Sequence, residues 1–320
     1  VSSYPKIPYD YDAIALQRLF RNEKESHFPV KALQPPSAVQ VYGELRFPQV
    51  PEKRVYTTGC FVTSMDGKLA FKDNPAGPVV AKANSLDPEG ADADFWILNL
   101  FRANVDVVIA GAGTMWAEPD GTVSVFDREL EEARIAAGKG AAPWAVISSL
   151  DGTDIRFQDT LFDAQPVMIQ TSPAGGAPVQ DGYGRPHFFI GPYRDEAAAW
   201  ESAETIRDLF TENRGKKTPV ILTGEGSRTN SGALLAILRI LGMERALVES
   251  PSYCHVLMGD KLLDELVLNY SCLYIGGSAV SLGSSMESFT STEHPESELL
   301  SIHMHSPSFL YFRHRFSYST

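Results

Sequence analysis

Phe61-Val62-Thr63-Ser64-Met65-Asp66-Gly67-Lys68-Leu69-Ala70 carries an apolar, β-branched run straight into a turn that holds a hydroxyl, a carboxylate and an ammonium. Residues 55–63 read as the strand that delivers this turn, because β-branched and aromatic side chains dominate them. A second strand end follows in Val105-Asp106-Val107-Val108-Ile109-Ala110-Gly111-Ala112-Gly113-Thr114. Its continuous apolar run, residues 105–110, is the pattern of a parallel strand buried on both faces. Strands that end in such turns are how an open α/β sheet presents a site at its carboxyl edge.

Working outward, residues 71–90 hold Pro75, Gly77, Pro78, Pro88 and Gly90 and read as a long loop. Residues 91–103 place Phe95, Leu98 and Phe101 on one helical face, with Asp92 and Asp94 near the start, where carboxylates complement the helix dipole. Strands are expected at 144–147, 166–170, 219–223, 245–249 and 265–274, and helices at 197–210 and 231–241, with a Gly/Pro-rich connection at 172–186. This alternation predicts an α/β fold with a doubly wound, mostly parallel sheet and helices on both faces. Residues 299–305 and 309–316 are strand-like with only Ser306-Pro307-Ser308 between them, so the sheet is expected to end in an antiparallel C-terminal hairpin. Residues 278–291 are serine-rich and read as a mobile loop.

Ahead of this body, taken as one domain over 55–320, residues 1–54 read as an N-terminal extension packed on its surface. A helical pattern covers 11–20, and Pro29, Pro35, Pro36, Pro48 and Pro51 then argue against regular sheet pairing.

The chain has 320 residues and a net charge of −12, which argues against a nucleic-acid footprint or a basic membrane surface. Cys60, Cys254 and Cys272 are odd in number and widely spaced, so neither a disulfide framework nor a zinc site is indicated. With no apolar run of about 18 residues and no basic-then-apolar leader, the expectation is a cytoplasmic protein without a membrane span.

Several side chains are candidates for chemistry. Gly111, Gly113 and Thr114 follow a buried strand, where glycines permit close backbone approach and free amides meet phosphate oxygens. The third glycine of the dinucleotide fingerprint is missing, so a tight turn without a ligand fits as well. Ser64, Asp66 and Lys68 sit at the first strand end: Lys68 suits a phosphate or a polarised oxygen, although an Asp-Gly turn with a solvated lysine is the plainer alternative. Glu118 and Glu249 stand where a carboxylate can bind sugar hydroxyls or transfer a proton, although a single such residue is more often a solvated surface acid. His255, His303 and His305 lack metal-ligand spacing.

These blocks, taken in order, resemble the RibD C-terminal family, the pyrimidine reductases of riboflavin biosynthesis with a dihydrofolate-reductase-like fold. The resembling stretches are Thr63 to Ala70, Leu100-Phe101-Arg102-Ala103-Asn104-Val105-Asp106 running into Ile109 to Thr114, Ala117-Glu118, Arg245-Ala246-Leu247-Val248-Glu249, Leu262-Leu263-Asp264-Glu265-Leu266 and Gly276-Gly277. The resemblance implies NADPH as hydride donor and a ribosylaminopyrimidine phosphate as substrate. It implies that Gly111, Gly113, Thr114, Gly276 and Gly277 approach the cofactor, that Ser64, Asp66 and Glu249 bind substrate, and that Lys68 and Glu118 are catalytic. A homodimer, with the C-terminal strands at its interface, is expected by the same analogy.

The chain departs from the family pattern after Glu249, where Ser250-Pro251 stands in place of two glycines. That departure keeps open a same-fold reductase acting on a pterin or another imine, and a nucleotide-binding protein that has lost turnover.

Overall fold

The computed structural model describes residues 4–284 and 286–318. Its strands in chain order are β1 (Gln17–Arg21), β2 (Val30–Lys31), β3 (Arg46–Phe47), β4 (Tyr56–Ser64), β5 (Val107–Gly111), β6 (Trp144–Ser148), β7 (Val167–Thr171), β8 (His187–Tyr193), β9 (Thr218–Thr223), β10 (Arg245–Val248), β11 (Glu265–Ser271), β12 (Glu296–Ser306) and β13 (Phe309–Ser317). The helices are α1 (Glu23–Ser26), α2 (Pro36–Val41), α3 (Pro78–Lys82), α4 (Pro88–Asn104), α5 (Ala112–Ala117), α6 (Arg128–Ala136), α7 (Leu161–Ala164), α8 (Gly176–Gly182), α9 (Glu196–Glu201), α10 (Ala203–Asn213), α11 (Ser231–Ile240) and α12 (Pro251–Gly259).

Eleven strands form one sheet in the order β1-β12-β13-β11-β4-β10-β5-β6-β7-β9-β8. From β11 to β8 every neighbouring pair is parallel, and β13, β12 and β1 add antiparallel strands at the other end. The central strands divide by the two-residue period of the pleat. Val108, Ala110, Ala145, Ile147 and Leu247 face one core with α4, α6, α7 and α8, whereas Val107, Ile109, Val146, Ala246 and Val248 face the other with α9 to α12. The doubly wound sheet and the C-terminal hairpin are therefore as the sequence pattern predicts.

Where the structure departs from the expected elements, long-range contacts or caps are responsible. Residues 11–20 are not a helix: a turn at 11–14 leads into β1, which pairs antiparallel with β12 through Arg18↔His303 and Phe20↔Ile302. Its hydrogen-bonding partner lies almost 300 residues away, and local periodicity carries no trace of it. The prolines of residues 22–54 do limit pairing there, to the two-residue ladder β2–β3. Val41, Tyr42, Leu45 and Phe47 nevertheless belong to the same core as α4, so the extension is built into the fold.

The expected loop 71–90 contains α3 and the start of α4, which begins at Pro88 because the Asp87 side chain caps the Gly90 N–H and proline at the first helical position gives up no needed donor. Asp94 therefore lies beyond the first turn and is no dipole partner; it is buried, where it accepts a 2.6 Å hydrogen bond from Asn269 Nδ2. Strand β8 went unread because of Gly191 and Pro192, which an edge strand tolerates. The expected helix 197–210 is interrupted at Ser202.

Candidate active site

The parallel strands deliver their carboxyl ends to one edge, with β10 between β4 and β5. The chain runs from β4 to β5 by α4 on one face and returns through α11 and α12 on the other, so strand order reverses here, which is where open α/β sheets bind ligands. At about 4.8 Å per interstrand step, β4 and β5 lie roughly 10 Å apart across the sheet. Because Gly59 and Ile109 both stand opposite Val248, β4 ends about 10 Å further along its axis, at Ser64, than β5 does at Gly111.

On the β4 side the turn is locked. Ser64 Oγ donates to Asp66 Oδ1 at 2.7 Å and accepts the Lys68 N–H at 2.9 Å. Asp66 in turn accepts from the Ile275 N–H at 3.1 Å and the Gly276 N–H at 2.7 Å. Ser64 Oγ first, then these two amides, hold the Asp66 carboxyl down at about 2. Gly276 thus sits beside Asp66 with its amide already engaged, and Gly277 follows it, both at positive φ. Lys68 is half-buried and pairs across its backbone with Ser281 of the serine-rich loop; its ammonium has no hydrogen-bond or ion-pair partner among the described residues. The loop is tied down further where the Leu69 N–H donates to Val280 O at 2.7 Å; its residue Ser285 lies outside the described residues.

Glu249 follows β10. Its carboxylate is gripped by the guanidinium of Arg102 from α4, Nε to Oε1 at 2.8 Å and Nη2 to Oε2 at 2.7 Å, and Arg102 Nη1 also donates to Ser124 O at 3.1 Å. The fork geometry is the strong bidentate form of a charge-assisted pair. Arg102 was legible only as part of a resembling block, because nothing local reveals that an arginine inside α4 faces the end of β10.

Glu118 caps the C-terminal end of α5 and accepts the Gly77 N–H at 3.0 Å. Burial pushes its carboxyl above the usual carboxylate range against the pull of the Gly77 N–H; nearby Glu249 pushes the same way, and Arg102 and Lys82 oppose it. Residues 71–82 therefore reach from the β4 turn to Glu118. The structure brings Glu118, Glu249, Arg102 and Lys82 into one electrostatic neighbourhood.

Gly111 closes β5, and the space a Cβ would need there is taken by Ser250 Oγ, at 2.7 Å. Ser250 is the N-cap of α12, accepting the Tyr253 N–H at 3.4 Å, with Pro251 in the first helical position. Ser250-Pro251 is thus a helix start, and its proline removes an amide that the helix would leave unpaired anyway. Gly113, by contrast, is exposed and has open space where a Cβ would stand, as does Gly226 in the Gly224-Glu225-Gly226 loop after β9. That second strand-to-G-x-G pattern was present in the sequence and carried the same signal as Gly111 to Gly113. Met65, Leu150 and Tyr274 on the loops after β4, β6 and β11, and Trp116 in α5 after β5, are exposed apolar side chains at this edge.

The remaining candidates are structural. His303 is buried on Tyr42 with ring centroids 4.1 Å apart, and burial first, then Arg18, lowers it to about 3. His305 meets Asp87 and Ala13 O. All three cysteines are free, no metal-holding group of three His, Cys, Asp or Glu occurs among the described residues, and no helix of theirs is long and apolar enough to cross a membrane.

No protein-family profile matches the sequence, and no curated protein does. Solved structures do match. RibD from Acinetobacter baumannii superposes with a TM-score of 0.52 at 15% identity, over 88% of this chain and 60% of its own. The riboflavin biosynthesis reductase of Saccharomyces cerevisiae gives 0.52 at 10% identity, covering 83% of this chain and 92% of its own. A pyrimidine reductase-like protein from Corynebacterium diphtheriae gives 0.54 at 16%, covering 83% and 94%. The chain spans about 60% of the length of the Acinetobacter RibD. It has the fold of the RibD-type, dihydrofolate-reductase-like reductases.

Proposed function

We propose that this chain, built on the fold of RibD-type reductases, is an NADPH-dependent oxidoreductase of the riboflavin-biosynthesis type that reduces a ribosylaminopyrimidine phosphate to its ribitylamino form. The observation that carries the proposal is the grouping of Glu249, held by Arg102, between the Lys68 turn and Glu118 at the strand-order reversal.

The residues at this edge fit a nicotinamide dinucleotide. Gly113 and Gly226 leave open backbone at the ends of β5 and β9, and Thr114 adds a hydroxyl beside the first. Gly113, Thr114 and Gly226 would hold the cofactor, which when bound supplies the hydride. Gly111 serves instead by admitting Ser250, and Gly276 and Gly277 by closing on Asp66.

The chain's own contribution is orientation and proton placement. Lys68, whose ammonium is uncommitted, would hold the substrate oxygen that gains negative charge, and Ser64 and Asp66 would support it by fixing the turn. Glu249, held in place by the Arg102 fork, would accept hydrogen bonds from sugar hydroxyls. Glu118 has a carboxyl raised by burial, which suits it to keep a proton and release it to the substrate. A same-fold reductase for a flat pterin-like imine is the second reading, favoured by the exposed apolar rim of Met65, Trp116, Leu150 and Tyr274.

A homodimer is part of the proposal, with one change of interface. β1 covers the outer edge of β12, so an edge contact between copies would use β1, where Leu19 and Phe20 are exposed.

The test is a titration with NADPH read by nicotinamide fluorescence, followed by NADPH oxidation with the ribosylaminopyrimidine phosphate. Binding plus turnover, lost in Lys68→Ala with the fold intact, is the expected result. Absence of binding at high micromolar NADPH overturns both reductase readings, and binding with turnover only on a pterin substrate selects the second.

A further inference from the structure

The amino edge of the sheet, opposite the candidate active site, carries a second concave feature. A hollow of about 870 Å³ opens at the starts of β6, β7 and β9, bounded by Trp144, Val167 and Thr218. With β6 five residues long, this edge stands roughly 17 Å from the carboxyl edge.

Its charge is opposite to that of the molecule. The chain carries 28 basic against 40 acidic residues, yet the wall of the hollow contains Lys139, Arg185, Arg214, Lys216 and Lys217 and no carboxylate. Two of the five are anchored from outside the wall, Lys139 by Asp106 and Arg185 by Asp163 at 2.6 Å. Arg214, Lys216 and Lys217 have no acidic partner within ion-pair distance among the described residues. They are carried on one tight turn, in which Asn213 O accepts both the Lys216 and the Lys217 N–H. Lys216 Nζ donates to Glu212 O at 3.0 Å and Arg214 lies over the Phe210 ring, contacts that bring no counter-charge. Three cations within four residues therefore repel one another, and a multivalent anion relieves that repulsion.

The wall also offers flat apolar surface in half-buried Trp144, whereas Phe162 is buried beneath the Arg185 guanidinium. A hollow of this size suits a small ligand. An extended nucleic acid would have to cross the acidic surface around it, which opposes the phosphate contacts that such binding needs.

We propose that this hollow is a binding site for a polyphosphate chain, either free or carried by a nucleoside, separate from the candidate active site. Arg214, Lys216 and Lys217 take the phosphates, and Trp144 receives the base where there is one. The proposal does not depend on the chain being a reductase.

The experiment is isothermal titration calorimetry of the full chain with sodium tripolyphosphate and with ATP at low salt, repeated for Lys216→Glu/Lys217→Glu and for Lys68→Ala. Both lysines of the double variant are exposed, and its circular dichroism confirms the fold. The expected result is one-to-one binding that the double variant weakens by roughly tenfold or more, that Lys68→Ala leaves unchanged and that falls with added salt. Tighter binding of ATP than of tripolyphosphate assigns the aromatic wall to a nucleoside, and equal affinity assigns the site to the phosphate chain alone. The proposal is overturned by no binding up to about 1 mM ligand, by unchanged affinity in the double variant, by loss of binding in Lys68→Ala, or by tighter binding of a single-stranded RNA than of tripolyphosphate.

Discussion

Replacing Gly111 by alanine tests how the end of β5 is packed against α12. The backbone at Gly111, φ −87° and ψ 153°, is open to any residue, so space and not conformation selects glycine here. An added Cβ would stand 2.7 Å from Ser250 Oγ and 3.3 Å from Ser250 Cβ. Ser250 is only 3% exposed and its hydroxyl caps α12, so the side chain cannot swing aside without giving up the Tyr253 N–H. Overpacking of this kind costs about 1–3 kcal/mol. Ser250→Gly alone is expected to cost only a few tenths of a kcal/mol, as glycine is a tolerable N-cap.

With Ser250→Gly in place the new methyl group has room, so Gly111→Ala/Ser250→Gly is expected to be more stable than Gly111→Ala. The coupling energy is then about 1–2 kcal/mol, read from urea midpoints at unchanged slope. Additive effects to within about 0.5 kcal/mol would refute the reasoning: α12 would then not be seated on the end of β5, and Ser250-Pro251 would have no packing role.

Three further outcomes are expected. Arg102→Met strands the nearly buried Glu249 carboxylate and costs about 3–5 kcal/mol, most of which Arg102→Met/Glu249→Leu regains; a single-variant loss under about 1 kcal/mol in urea unfolding would contradict the pairing. Asp94 is raised by burial from 3.8 to about 7, so the folded state holds its proton more tightly than the unfolded chain does. Stability from this group is full below about pH 4 and lost as pH rises through about 7, by up to about 4 kcal/mol. Relative to Asp94→Asn, the wild type should therefore lose stability between pH 5 and pH 8, and parallel urea midpoints would sink the assignment. Asp66→Ala frees the Ile275 and Gly276 amides, whose hydrogen exchange should quicken by about tenfold or more, and unchanged protection would remove Asp66 as the latch.

Within the site, the residues that declared themselves were those at strand ends. Ser64, Asp66, Lys68, Gly111 and Glu118 follow apolar runs whose strand character is local, and the parallel topology then carries all of them to one edge. Their partners were not legible. Nothing near Glu249 names Arg102, nothing near Glu118 names Gly77, and nothing near Asp66 names Gly276, because each bond joins segments at least 41 residues apart. Gly276 shows the consequence: its sequence context suggests a free turn amide, yet in the fold that amide is consumed. Ser250-Pro251 shows the converse, since an apparent loss of backbone donors is a competent helix start.

The same division holds for the fold. Hydrophobic period and turn chemistry, which are properties of neighbouring residues, were enough to determine the parallel strands other than β8, the helices α4 and α11 and the C-terminal hairpin, but not α3, α6 or α12. The strand identity of residues 17–21, the burial of Asp94 and the bringing of Lys139 and Arg185 to the Arg214-to-Lys217 turn were decided only by tertiary structure. Sheet pairing, desolvation and summed charge depend on which distant segments are brought side by side, and no local pattern records that.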